Sequence, residues 1–375
     1  MQPEIAIIKS SDKPYSHDKK LGGLYLLERN INVLLKAGIP MIYLDLNEEE
    51  KAFYNNKISR HIRSAGRVAM LENTRLSTKK TVLIVPSNLF FQAHYLNTVE
   101  TYFQQRKNQL TPLIKGDQFL IFNLNDIRNA EQLVSQFIIS NTGGFIAQKI
   151  YKRISIPISL KVAGIRIHPG YFSVLNMFIG LMSSVFMMLA ADRSSESSYR
   201  YFMMAMAGIF FQTSSVFDGV NDEVSKFTFN FSKTGDWIET IGNNLTLLFF
   251  LISSSYLNYS YLGGTVSLAS IIVMFASLAV FLPFMVRYVR KYNETGFLTA
   301  FDKHFLQLLP DEDFLARFAK SMTSMIKKES FSLIFCLIAI AGMAEIIIPL
   351  ASFVILISAM VSAILYWRYK DTVKG

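Results

Sequence analysis

The sequence predicts a chain in two parts, an α/β domain on a mainly parallel sheet and then an all-α bundle of six membrane spans. Three observations lead to that fold class. Hydrophobic residues make up 51% of the 375, but the long apolar runs lie beyond residue 170. The first 145 residues instead alternate short apolar runs with helix-like segments, which is the pattern of βαβ units. Basic residues collect in alternate connections between the apolar runs, the asymmetry that orients a membrane protein. The domains fall at 1–145, 146–170 and 171–375, the middle segment being juxtamembrane.

In the first domain the strands are expected at 5–8, 41–46, 81–86 and 119–124, with helices over 24–37, 91–107 and 126–140. The apolar stretch near Met1 is too short for a signal peptide, so residues 1–170 are expected in the cytoplasm. Between 144 and 159 apolar and basic residues alternate at roughly helical spacing. A basic amphipathic helix in the membrane interface and an ordinary linker helix both fit that pattern.

A span needs about 20 predominantly apolar residues. Such runs lie at roughly 171–191, 199–217, 236–257, 262–286, 331–348 and 350–367, the last two separated by little more than Pro349. The 287–330 connection carries Arg287, Arg290, Lys291, Lys303, Arg317, Lys320, Lys327 and Lys328. The 192–198 loop offers only Arg193, and 258–263 has no charge. This asymmetry makes a multi-pass membrane protein with both termini cytoplasmic. The net charge of +10 is then a matter of membrane lipids with anionic headgroups, not of nucleic acid. Cys336 stands alone, which excludes an intrachain disulfide and a thiolate metal site.

Ionisable groups at the ends of membrane helices mark functional sites. Asp218, Gly219, Asn221, Asp222, Ser225 and Lys226 are followed by Gly235, Asp236, Glu239 and Asn243, at i, i+3 and i, i+4 spacings. The spacing resembles the signature of the CDP-alcohol phosphatidyltransferases, D-x2-D-G-x2-A-R-x8-G-x3-D-x3-D. The residues in that frame here are D-x2-N-D-x2-S-K-x8-G-x3-E-x3-N. The resemblance implies Mg²⁺ or Mn²⁺ held at Asp218, Asn221 and Glu239, with a general base at Asn243. Gly219, Ser225, Lys226 and Gly235 would then shape the substrate site. Asp222 shares a helical face with Asp218 and could replace the carboxylate missing at Asn221. An amide cannot hold a proton as a carboxylate does, and Asp236, seven residues before Asn243, is the nearest substitute base. The stretch 167–173 resembles the family's juxtamembrane motif without its asparagine, and His168 reads as a turn residue. The cluster, with Asn244, is expected to face a cavity between helices.

The first domain resembles nucleotidyltransferases. The stretches 20–29 with 37–39, 82–90 and 125–131 are similar to the cytidylyltransferase half of bifunctional inositol-phosphate cytidylyltransferase / di-myo-inositol-phosphate-phosphate synthase proteins. The glycine-rich phosphate loop of such domains falls on 9–19, which holds no glycine. The metal aspartates fall on Ser87 or Asn88 and near Leu120, leaving Lys20 as a phosphate contact. Turnover of CTP is not expected, and a cap, a protein-binding surface or a regulator fits better. Two functions stay open. One is a transferase moving a phosphoalcohol group from a CDP-linked donor to an alcohol or phosphoalcohol acceptor. The other is a non-catalytic relative that binds nucleotide, lipid or a partner. The resemblance leaves room for a homodimer.

Overall fold

Strand β1 (Ile5–Lys9) is flanked on both sides by parallel neighbours, β4 (Met41–Asp45) and β6 (Val82–Pro86), with Ile5 opposite both Met41 and Val82. A strand buried on both faces reads as a continuous apolar run, which is what 5–8 shows. The computed structural model describes residues 3–15, 17–58, 62, 66–71, 80–98, 101, 103–114, 117–142, 147–165, 169–230, 233–292 and 297–369. The chain divides into two units. One comprises Met1–Asn141, Pro157–Ile167 and Val224–Asn230; the other comprises Thr142–Ile156, His168–Glu223 and Phe231–Gly375.

The first unit holds a mixed sheet in the order β5-β4-β1-β6-β9-β8, where β5 is Val68–Met70, β8 Phe103–Arg106 and β9 Gln109–Pro112. Two segments depart from the sequence expectation. Within 91–107 there is a short 3₁₀ turn, Ala93–Asn97, and then β8, which turns back antiparallel on β9. Lys107 makes that reversal at a φ of 52°, a turn conformation that outweighs the helical pattern. Strand β10 (Phe119–Leu120) stays out of the main sheet and pairs with β7 (Leu89–Phe90). The short β2 (Lys20–Leu21) and β3 (Leu24–Tyr25) pair with each other. Helix α1 (Leu26–Lys36) buries Ile31 and Leu34 against Ile8, Ile42 and Leu83. Helix α2 (Glu48–Lys57) starts at Asn47, whose side chain accepts from the Glu50 amide. Helix α3 (Leu124–Ser140) opens on a capping box in which Asn123 Oδ1 accepts from the Asp126 amide and Asp126 Oδ2 accepts from the Asn123 amide.

The second unit is helical. A π turn, Ala147–Tyr151, leads into α4 (Lys152–Ile165), whose first residues belong here. Then follow α5 (Pro169–Ala190), α6 (Ser197–Thr228), α7 (Lys233–Leu262) and α8 (Gly264–Tyr292). The shorter α9 (Phe297–His304), α10 (Phe314–Ile326) and α11 (Lys328–Ile340) precede α12 (Ile347–Tyr369). Phe211 of α6 stacks on Phe250 of α7 at 3.9 Å in the core of this unit.

Among the described residues, four stretches are long and apolar enough to cross a membrane: Gly170–Ala190, Trp237–Leu262, Gly264–Pro283 and Ala344–Tyr369. The other two expected spans look different. Helix α6 is 32 residues long but carries Arg200, three acids and Lys226 along its length. Helix α11 has 13 residues, which at about 1.5 Å per residue is shorter than the roughly 30 Å hydrocarbon layer. The break between α11 and α12 falls at Gly342, not at Pro349. Gly342, at φ 74°, closes a Schellman turn, its amide donating to Ala339 O and that of Met343 to Ile338 O. Pro349 sits in the first turn of α12, where its missing N–H leaves no helical bond unmade.

Candidate functional site

Helices α6 and α7 bring the frame residues together side chain to side chain. Asn243 Nδ2 donates to Asp218 Oδ1 at 2.6 Å, joining the first frame position to the last. Asn221 Nδ2 donates to Glu239 Oε2, joining the second to the third. Each asparagine standing where the signature has an aspartate is thus paired with a retained acid. Helix α5 adds Ser173, whose Oγ accepts from Asn221 at 3.2 Å, and Asn176, which donates to Asn243 Oδ1 at 3.2 Å. Lys328, the first residue of α11, donates to Asn243 Oδ1 at 2.7 Å and lies 3.6 Å from Asp218 Oδ2. Four helices therefore meet in one polar network inside an apolar bundle.

A second cluster sits one turn further along α6. Glu223 is fully buried, and its Oε1 accepts from Lys152 Nζ at 2.8 Å and from Ser155 Oγ at 2.5 Å. Lys152, itself buried, also comes within 3.9 Å of Asp222. An ammonium taken out of water needs such partners to offset its lost hydration. Beside it Tyr151 and Ser332 share a hydrogen bond of 3.0 Å, and burial raises the Tyr151 phenol above its ordinary value.

The remaining expected site residues are placed less tightly. Gly219 has room around it, a Cβ there lying 3.7 Å from Ser155 Oγ. Asp222 is half-exposed and faces Lys152. Gly235 lies in the first turn of α7; the side chain of Asp236 and the whole of His168 lie outside the described residues. Asn244 leaves the cluster: it is exposed and donates to Thr240 O. Ser225 and Lys226, on the last turns of α6, belong to the first unit. Lys226 is exposed, and burial together with its charge lowers the Lys36 ammonium of that same unit.

The network does not fit a divalent ion pair as it stands. Magnesium and manganese take several hard oxygen ligands, several of them charged. Here the amide N–H faces of Asn243 and Asn221 point at the two carboxylates, and the Lys328 ammonium already lies against Asp218. Among the described residues no three His, Cys, Asp or Glu side chains form a group able to hold a metal.

In the first unit, β1 lies where the strand order reverses, the position at which open α/β sheets bind ligands beyond their strand ends. A protein carboxylate fills that place. Glu50 of α2, 4% exposed, accepts from Ser10 after β1 and from Ser87 after β6, the latter at 2.6 Å. The Ser11 amide donates to Ser87 Oγ at 3.1 Å. Burial and the Glu50 charge raise the Tyr15 phenol nearby. Asn88 donates to Ile121 O, and Lys20 to Gly164 O, so both polar groups engage backbone carbonyls.

Sequence reasoning missed Asn176, Lys328, Lys152 and Glu223. Asn176 is three residues after Ser173 in a mostly apolar run, and Lys328 stands three residues before the run that begins at Phe331; both are visible in the sequence. Nothing local distinguishes Lys152 from its basic neighbours, because its role comes from the partner on α6.

No protein-family model matches the chain. Several curated proteins named bifunctional IPC transferase and DIPP synthase align with it. That of Archaeoglobus fulgidus is 28% identical over 127 residues, 34% of this chain and 23% of the relative. That of Thermococcus kodakarensis is 23% identical over 117 residues, and that of Aquifex aeolicus 25% over 117 residues. Both alignments cover 31% of this chain and 24% of the relative. The matched region thus spans about a quarter of the length of these relatives. At this low identity, and over about a third of its length, the chain resembles the bifunctional IPC transferase and DIPP synthase proteins.

Proposed function

We propose that the chain is a membrane transferase of the CDP-alcohol class, moving a phosphoalcohol group from a CDP-linked donor to an alcohol acceptor. The observation that carries the reading is the cross-paired network of Asp218, Asn221, Glu239 and Asn243, at the signature's spacing. Two oxygens there, Asn176 Oδ1 and Asn221 Oδ1, are buried without a hydrogen-bond donor among the described residues. A bare buried acceptor costs about 1–3 kcal/mol, so the hydroxyl of a bound alcohol is stabilised by filling it. In the transfer, the acceptor oxygen bonds to phosphorus, the bond from phosphorus to the CMP oxygen breaks, and CMP leaves. The hydroxyl proton needs a base; Asn243 cannot serve, while Asp218 and Glu239 are the carboxylates of the network able to take it. Likeness to DIPP synthases favours an inositol-phosphate acceptor. The six-span arrangement with both termini cytoplasmic belongs to the same proposal, and it requires α6 and α11 to complete their crossings within the lipid.

Asparagine at the base position favours a second reading, in which the site binds its ligand without turning it over. One experiment separates the two. The purified full chain in detergent is given a CDP-linked inositol donor and inositol phosphate, and CMP release and CDP binding are both measured. CMP release that Asp218→Ala abolishes supports the transferase. Retained CDP binding without CMP release supports the binder, and absence of both refutes the two readings together.

A further inference from the structure

We propose that Lys328 is the resident cation of the α5–α6–α7–α11 network, standing in for a divalent ion. The inference takes its ligand, a phosphate-bearing molecule, from the reading above, but the role of Lys328 stands on geometry alone. Four carboxylates at the frame positions would repel one another unless cations lay between them. In this chain the second and fourth positions are Asn221 and Asn243, and each turns its amide donor to a remaining acid. That substitution pattern leaves two carboxylates, each held by an amide, and one of them needing a counter-charge. Lys328 supplies it, 3.6 Å from Asp218 Oδ2 and 2.7 Å from Asn243 Oδ1.

A separate observation points the same way. Lys328 begins α11, and a cation at a helix N-terminus meets the positive end of the helix dipole. The dipole of α11 therefore does not favour a lysine there. Its place is explained by Asp218 and Asn243 across the bundle, where its side chain is 17% exposed. An ammonium has three donors; one here goes to Asn243 Oδ1 and the charge lies against Asp218, which leaves a donor and a fixed positive charge for a phosphate oxygen with no ion needed from solution. It also excludes a divalent ion from Asp218 by like-charge repulsion at contact distance.

The test reads Mn²⁺ binding to the full chain in detergent by electron paramagnetic resonance, without nucleotide. Wild type is expected to bind no Mn²⁺ at millimolar levels. Lys328→Ala combined with Asn221→Asp should gain binding at least about tenfold tighter than wild type, because a charged hard ligand is added as the competing cation is removed. Adding Asp218→Ala should abolish the gain. Lys328→Gln with Asn221→Asp is the second variant should the alanine form fail to fold, and thermal unfolding in detergent reports folding for each. Wild-type Mn²⁺ binding that depends on Asp218 overturns the proposal. So does failure of both folded double variants to bind, since Lys328 is then not what keeps the ion out. CDP binding in EDTA is measured alongside. If CDP fails to bind wild type with or without Mg²⁺, the transferase reading falls while the Mn²⁺ result still decides the role of Lys328.

Discussion

Glu50 of the first unit and Glu223 of the second are both buried, and the two are held in different ways. Glu50 lies at the strand ends of the first unit, where its described hydrogen-bond donors are the hydroxyls of Ser10 and Ser87. Glu223 lies among helices of the second, where its described hydrogen-bond donors include the Lys152 ammonium and the Ser155 hydroxyl. The difference follows from what surrounds each carboxylate. Beyond strand ends, loops and side-chain hydroxyls supply dipoles at short range. Between helices the backbone groups are already bonded to one another, so a buried charge has only side chains to compensate it, and a lysine does so most fully. The frame network repeats the pattern, with Lys328 set against Asp218.

The largest expected effect tests the helical half of this comparison. Lys152→Met should lower the stability of the full chain by about 3–5 kcal/mol, because the buried Glu223 carboxylate loses the ammonium that pairs with it. Thermal unfolding in detergent checks it, and Lys152→Met with Glu223→Leu should recover much of the loss. A single-variant cost no larger than that of a surface change would break the comparison. For the first unit, Glu50→Ala strips the acceptor from two serine hydroxyls without stranding a cation. A cost of about 1–3 kcal/mol is expected. If it matches or exceeds Lys152→Met, hydroxyl dipoles and ammonium are equivalent partners and the contrast fails.

A smaller change sharpens the point about local donors. Asn123→Ala removes one half of the capping box of α3 and should cost about 1 kcal/mol, read from unfolding of the full chain in denaturant. The smallest effect is invisible at neutral pH. Burial beside Glu50 holds the Tyr15 phenol above its ordinary value, so the folded state keeps that proton when the unfolded chain has lost it. Its contribution is therefore complete below about pH 10 and declines as pH rises further. Tyr15→Phe should flatten that alkaline decline, and an unchanged slope would show that Tyr15 takes no part in it.

Much of this architecture is legible in residue order. The central strands β1, β4 and β6 are read correctly because apolar runs bounded by turn residues have few alternatives. Strands β8 and β9 escape detection because Gln104, Gln105 and Arg106 carry no apolar alternation, and the hairpin depends on the turn at Lys107. The frame from Asp218 to Asn243 is visible through helical spacing within each half and the likeness of the whole to the signature. Its cross-pairing is not, since which asparagine meets which acid depends on how α6 and α7 lie against each other. Lys328 is hidden for the same reason: it comes from 85 residues beyond Asn243 in the chain.

Helices α7 and α8 are separated by Gly263 alone, and Gly263 and Gly264 take φ values of 56° and 65°. From 240 to 286 the chain contains no charged residue. A reversal this short leaves no hydrophilic loop to be carried through the lipid as the protein is made. The pair can enter the bilayer as one hairpin, with neither helix waiting for the other. Moving a single charge through a 100 mV potential involves about 2.3 kcal/mol, and this hairpin has none to move. Membrane voltage would therefore have no grip on its tip, and the basic residues that follow the pair are Arg287, Arg290 and Lys291 at the end of α8.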